Sequence, residues 1–213
     1  MDDKTKNIFL ESARLFIKYG LRNLSMDDIS RELGISKKTL YQICENKADL
    51  IDKILQYHLD ASHQFANADN NTEKNAIAIT LDLSHWACDH MKEFTPQHTF
   101  ELQKYYPEVY KRFMERKRKD TYTWIRTILE KGIHEGLYRE NIDIDLAAAI
   151  HIKNLEDLFD HEFLATVDVP FGKLFEATFE NHIRSIATPK GLEYFEKRIA
   201  EMHDCEPDKS TIL

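Results

Sequence analysis

Lys37, Lys38, Thr39, Tyr41, Gln42 and Lys47 fall within eleven residues, and no acid interrupts the run from 37 to 42. Ammonium groups suit phosphate oxygens, whereas amide and hydroxyl groups suit base edges, so this set has the chemistry of a nucleic-acid reader. Placement sharpens the point. Ser36 can cap a helix that begins at Lys37, and Asn46 one that begins at Lys47, with Asp49 at its third position. Lys37, Lys38 and Lys47 therefore occupy first turns, where the helix dipole disfavours cations. A phosphate bound at those helix starts would reconcile the lysines with the dipole. Ser25 belongs to the same group. It can cap an earlier short helix, with Asp28 three residues on as the acidic half of a capping-box pair.

The elements that hold these residues can be read locally. Ile29 and Leu33 lie four apart on one face, and Gly34 stands where a left-handed residue ends a helix. A second helix follows at once, then a third, which is the layout of a helix-turn-helix. On a wheel of about 100° per residue, Leu40, Ile43 and Cys44 point inward, while Lys38 and Gln42 point away, flanked by Thr39 and Tyr41. The competing reading is a solvated helix face in an ordinary bundle.

Residues 8 to 50 resemble the N-terminal domain of the tetracycline-repressor (TetR/AcrR) family of bacterial regulators. The resemblance is carried by Ile8, Ala13, Leu15, Phe16, Gly20, Ile29, Leu33-Gly34-Ile35-Ser36, Thr39-Leu40-Tyr41, Asn46-Lys47 and Leu50. One departure is Cys44, where the family usually has an aromatic, and the volume so released must be filled by Ile43 or Met26. The resemblance implies a regulator, expected to be a repressor, that reads a palindromic double-stranded DNA operator as a homodimer and is released by a small-molecule effector. Lys38, Thr39 and Gln42 are then expected near bases, and Ser25, Lys37, Tyr41 and Lys47 at phosphates.

Composition agrees. Gly (6) and Pro (5) are scarce in 213 residues and alternating β-branched runs are absent, so the expected fold is all-α. A three-helix domain at 1–47 precedes a larger helical effector and dimerisation domain at 48–203 and a flexible tail at 204–213. The net charge of −8 hides an asymmetry: residues 1–47 hold 9 Lys+Arg against 7 Asp+Glu, and the remainder 20 against 30. Only the N-terminal part is positive, as DNA contact at that end alone requires. No signal peptide or membrane span is evident, and the three cysteines form no disulfide or metal pattern, so a cytoplasmic protein is expected.

Beyond a connecting helix from Asn46 to about Phe65, helical periodicity predicts elements near 73–92, 97–105, 107–132, 143–163, 170–187 and 190–203. Ser84, His85 and Cys88 in the first, and Phe113, Lys117, Thr121 and Trp124 in the third, place polar groups on apolar faces. With Phe100 and Tyr105 they are candidate lining for an effector pocket, although satisfied core residues look the same. His85 and Cys88 share a face but lack a third ligand, so no metal is expected, and no cofactor. The basic run Lys111-Arg112 and Arg116 to Lys119, interleaved with Glu115 and Asp120, reads as a solvated face.

Leu146, Ile150, Leu158, Phe171, Phe175, Phe179 and Ile183 give the 143–163 and 170–187 helices more apolar surface than a small domain hides easily, so they are the candidate dimer interface. A monomer using both helices as internal core is the alternative. Two other functions stay open: the same fold acting through a protein partner without an effector, and an all-α enzyme. The sequence carries no phosphate loop, nucleophile elbow or zinc helix for the latter.

Overall fold

The computed structural model describes the backbone of residues 1–70, 73–91, 96–158 and 166–205, and their side chains except at 66–70, 89–91, 96 and 203–205. Its helices are α1 (Asp3–Tyr19), α2 (Met26–Glu32), α3 (Lys37–Ile43), α4 (Lys47–Asn70), α5 (Ala76–Met91), α6 (Pro96–Tyr105), α7 (Pro107–His134), α8 (Ile144–Asp157), α9 (Phe171–Ile186) and α10 (Pro189–Cys205). The expected all-α architecture holds among these residues. The connecting helix α4 runs further than Phe65, and α10 takes in residues 204 and 205 at the start of the expected tail. Residues 159–165, at the end of the expected 143–163 helix, and 206–213 lie outside the described residues.

Local chemistry sets the first three helices. Asp2 accepts from the Thr5 N–H at 2.9 Å and opens α1. The Ser25–Asp28 capping box is complete, with Asp28 N–H donating to Ser25 Oγ at 3.1 Å and Ser25 N–H to Asp28 Oδ2 at 3.0 Å. Gly34 adopts φ +64°, and a Cβ there would meet no described residue within 4 Å, so its backbone conformation rather than space is what the turn needs. Ile35 N–H then reaches back to the Ser30 carbonyl at 3.0 Å, closing the end of α2.

Two cores result. The N-terminal one gathers Ile8, Phe9 and Phe16 of α1 with Ile29, Leu40, Cys44, Leu50, Ile51 and Ile54, but also Leu102 and Val109 of α6 and α7. The packing is therefore continuous across residue 47. Cys44 is buried here, its thiol pointing to the Leu40 carbonyl at 3.4 Å, and Ile43 and Met26 pack against the same core. Burial pushes that thiol up to about 11. The second core surrounds α5, which packs against α4, α7, α9 and α10. Ile77, Leu81, Ile128, Leu129, Tyr138, Ile183 and Phe195 fill it. Tyr138 lies so close to Gly132 that a Cβ there would sit 2.1 Å from the ring.

The basic run on α7 has a structural role. Arg112 pairs with Asp52 at 2.8 Å and Arg116 with Asp60 at 2.6 Å, both on α4, and Arg118 grips Glu156 of α8 at 2.8 and 3.0 Å. These pairs are exposed enough that each adds little stability; two of them join α7 to α4 and the third joins it to α8.

Candidate nucleic-acid interface and cavity

Helix α3 presents one outward face. Leu40 is fully buried and Cys44 nearly so, whereas Lys37, Lys38, Tyr41 and Gln42 are exposed and Thr39 is half-buried. Ser36 caps this helix, accepting from the Thr39 N–H at 3.1 Å, and its hydroxyl lies 2.8 Å from Thr39 Oγ1. Lys37 forms an ion pair with Asp27 at 2.5 Å, both partners more than half exposed, so a phosphate can replace Asp27 at small cost. Ser25 is exposed at the start of α2, but its hydroxyl already donates to Asp28 at 2.6 Å. Lys47 differs from the others. It begins α4, beneath an Asn46 cap made with the Asp49 N–H at 3.0 Å, and folds back over the rings of Phe16 (6.0 Å) and Tyr106 (5.9 Å). Burial lowers its pKa, while Glu101 and Asp28 raise it.

Behind this motif lies a cavity of about 1010 Å³, at the upper end of the size that takes small organic ligands. Its walls come from seven helices: α1, α4, α5, α6, α7, α8 and α9. Phe100, Phe113, Lys117, Thr121 and Trp124, each expected as lining, do line it. Ser84, His85, Cys88 and Tyr105 do not. The reason for the α5 residues is geometric. That helix is packed from four sides, so its cavity face is Leu83, Trp86 and Ala87. Ser84 is buried and donates to the Leu81 carbonyl at 2.8 Å, and Cys88 packs towards Gly172. Tyr105 lies instead near Arg22, whose guanidinium stands 5.5 Å from its ring. Among the described residues, no three His, Cys, Asp or Glu side chains converge on a metal position.

Polar groups on the cavity wall are unusual in two places. Burial pushes the Lys117 ammonium down to about 8, against the opposing effect of Glu156. His151, 1% exposed, stacks on His182 with centroids 4.0 Å apart, and its Nδ1 has no hydrogen-bond partner among the described residues. Burial holds both imidazoles low, His182 at about 4 and His151 well below its ordinary value, with His182 adding to the effect on His151.

A second link joins the cavity to the DNA-reading motif, and it could not have been found from sequence. Glu101 of α6 accepts from the Leu21 N–H at 2.7 Å, just past the end of α1, across 80 residues of chain. His98 of the same helix lies 3.0 Å from the Ile17 carbonyl. Neighbouring α6 residues Phe100, Leu102 and Gln103 line the cavity. The helix that walls the cavity is thus also the helix that holds the end of α1.

The expected dimer residues divide. Leu146 (58% exposed) and Ile150 (53%) stand out from α8. Leu158, Phe175, Phe179 and Ile183 are buried within the protomer, with Phe171 packed beside them, so these are interior side chains rather than surface free to meet a partner. The apolar stripe of α9 is consumed by α5 and α8 of its own chain.

Residues 8–54 match the model of the tetR family of bacterial regulatory proteins. The HTH-type transcriptional repressor KstR2 of Rhodococcus jostii is 28% identical over 150 residues, which span 64% of this chain and 68% of the relative. In residues 8–54 the chain is thus similar to the tetR family of regulatory proteins. Solved structures agree on the fold. A transcriptional regulator from Cytophaga hutchinsonii superposes with a TM-score of 0.71 at 15% identity, covering 88% of this chain and all of that one. The ketosteroid transcriptional regulator KstR2 of Mycobacterium tuberculosis gives 0.55 at 16% identity, covering 88% and 97%. The matched segment ends inside α4, the helix that carries the motif towards the cavity. No helix among the described residues is long and apolar enough to cross a membrane.

Proposed function

We propose that the protein is a tetR-family regulator, a homodimeric repressor whose two α3 helices read a palindromic operator and whose cavity binds a small-molecule effector that releases DNA. Residues 1–47 act as the DNA-reading unit and 48–203 as the effector and dimerisation unit. Lys38, Thr39 and Gln42 face the bases, while Lys37, Tyr41 and the starts of α2 and α4, with Ser25 and Lys47, meet phosphates. The exposure of the α3 face supports the first assignment. Repression follows the named activity of the Rhodococcus relative.

One observation carries the effector reading: the cavity reaches α1 itself. Ala13, Phe16, Ile17 and Leu21 line it together with α4 and α6, so an occupant that shifts either wall moves the end of α1. A fully packed second domain would have favoured a protein partner instead. Dimerisation uses the exposed face of α8 around Leu146 and Ile150.

Selection of bound duplexes from a random pool by the purified protein, at two salt concentrations, tests this. A palindromic sequence with half-sites about one or more helical turns apart is expected, bound with steep salt dependence. Salt-sensitive binding with no enriched sequence would refute base reading by α3.

A further inference from the structure

Aromatic rings line the cavity from four helices: Phe16 of α1, Trp86 of α5, Phe113 and Trp124 of α7, and Phe175 and Phe179 of α9. Aliphatic side chains stand with them, among them Ile54 and Leu55 of α4 and Leu83 of α5. Such walls gain most from a flat, ring-bearing body, which buries apolar area and meets the rings stacked or edge-on.

The charged groups on the wall are satisfied by the protein itself. Glu156 is gripped by Arg118 at 2.8 and 3.0 Å, and Asp157 pairs with Lys153. Asp120 lies 3.5 Å from Arg116 and 3.6 Å from His63. Lys117 is engaged on the protein and lies in the field of Glu156. Lys104 is exposed, its ammonium over the rings of Phe100 and Tyr105 at 5.3 and 5.5 Å. Among the described residues, these seven are the Lys, Arg, Asp and Glu side chains of the cavity wall. An entering ion would have to break one of these pairs or shed its water without a partner, and both are costly away from solvent.

Two buried polar atoms of lining side chains lack a hydrogen-bond partner among the described residues, Trp124 Nε1 and His151 Nδ1. Neither group is charged at neutral pH, since burial holds His151 well below its ordinary value. What the wall leaves unmet is hydrogen bonding rather than charge, and that suits a hydroxyl or carbonyl oxygen.

We propose that the occupant is an uncharged, ring-bearing organic molecule whose polarity is limited to hydroxyl or carbonyl groups. This rests on the cavity being the effector site. Apolar contact supplies the affinity, and the closed set of ion pairs supplies the selectivity by rejecting ions of either sign.

Four probes on one pyrene frame test it, each titrated into the full chain at neutral pH. Pyrenebutanol and methyl pyrenebutyrate are uncharged; pyrenebutyrate is an anion and pyrenebutylamine a cation. Pyrene anisotropy and energy transfer from the two tryptophans report binding, because Trp86 and Trp124 both line the cavity. Both uncharged probes should bind at least ~10-fold tighter than either ion. Greater hydrophobicity alone also favours the uncharged pair, so two variants that unbalance the wall are added. Glu156→Gln leaves Arg118 without its carboxylate and should strengthen pyrenebutyrate ~3-fold. Arg118→Gln leaves Glu156 without its guanidinium and should strengthen pyrenebutylamine by a similar factor. In both variants the alcohol should stay within ~2-fold, which also shows that the cavity is still folded.

An acid or amine bound as tightly as the alcohol would overturn the uncharged occupant and leave the cavity as a binding site. Equal responses of all four probes to both variants would overturn selection by the paired charges in the same way. No energy transfer to any of the four would overturn both the uncharged occupant and the cavity as effector site.

Discussion

Removing the Glu101 carboxylate tests whether α6 holds the DNA-reading motif energetically or merely touches it. The bond from the part-buried Leu21 N–H is short, 2.7 Å, and its acceptor is a carboxylate. Such charge-assisted bonds contribute about 1.5–3 kcal/mol, and Glu101→Ala also leaves the amide without its acceptor. A loss of about 2 kcal/mol is expected for Glu101→Ala and about 1 kcal/mol for Glu101→Gln, which keeps an acceptor of the same shape but without charge. Hydrogen exchange read by NMR isolates the site. The Leu21 amide should exchange ~30-fold faster in Glu101→Ala if its local opening becomes easier by that amount. Urea unfolding should show a lower midpoint with an unchanged slope. The same variant should blunt the effect of a cavity ligand on DNA affinity by up to that factor, because α6 would keep only the His98 contact with the end of α1. Equal Leu21 exchange in wild type and Glu101→Ala, with midpoints indistinguishable, would refute the coupling role.

On α3, Gln42→Ala should cost about 1–3 kcal/mol and relax selection at one base position, whereas Lys37→Ala should weaken all duplexes alike and reduce the salt slope by about 1; quantitative binding to the selected duplex separates the two. The stacked His151–His182 pair predicts acid sensitivity. Both imidazoles titrate below the ordinary 6.5 in the fold, so the unfolded chain takes up protons first. Stability from this pair is therefore complete above pH 6.5 and falls as pH drops below it, for His182 down to about 4. Urea midpoints between pH 7 and 5 should fall less steeply in His182→Gln than in wild type. At the outer face of α8, charges introduced as Leu146→Glu and Ile150→Glu should convert a dimer into a monomer in sedimentation experiments, with helix content unchanged; persistence of the dimer would move the interface elsewhere.

How much of this is legible in the sequence depends on the range of the physics involved. The Ser25–Asp28 box, the Gly34 turn and the Ser36 and Asn46 caps are local signals, and all four are present. The cavity face of α7 was also readable, because a long helix exposed on one side keeps a clean period. The face of α5 was not. Helices pack around it from four sides, so its apolar residues do not single out one direction, and Ser84 and Cys88 point away from the cavity. An apolar stripe on α9 announces burial but not whose core buries it, and here Phe175, Phe179 and Ile183 fill the protomer's own. Glu101 gave no signal at all, since its meaning depends on an amide 80 residues away.

The central claim is that cavity and operator compete through one molecule, and reciprocal linkage tests it most directly. A small molecule found by its effect on Trp86 and Trp124 fluorescence is titrated into the protein with and without the selected duplex. The account predicts that saturating ligand weakens duplex binding, and that duplex weakens ligand binding by the same factor, ~10-fold or more. Ligand affinity unchanged by bound duplex would contradict it.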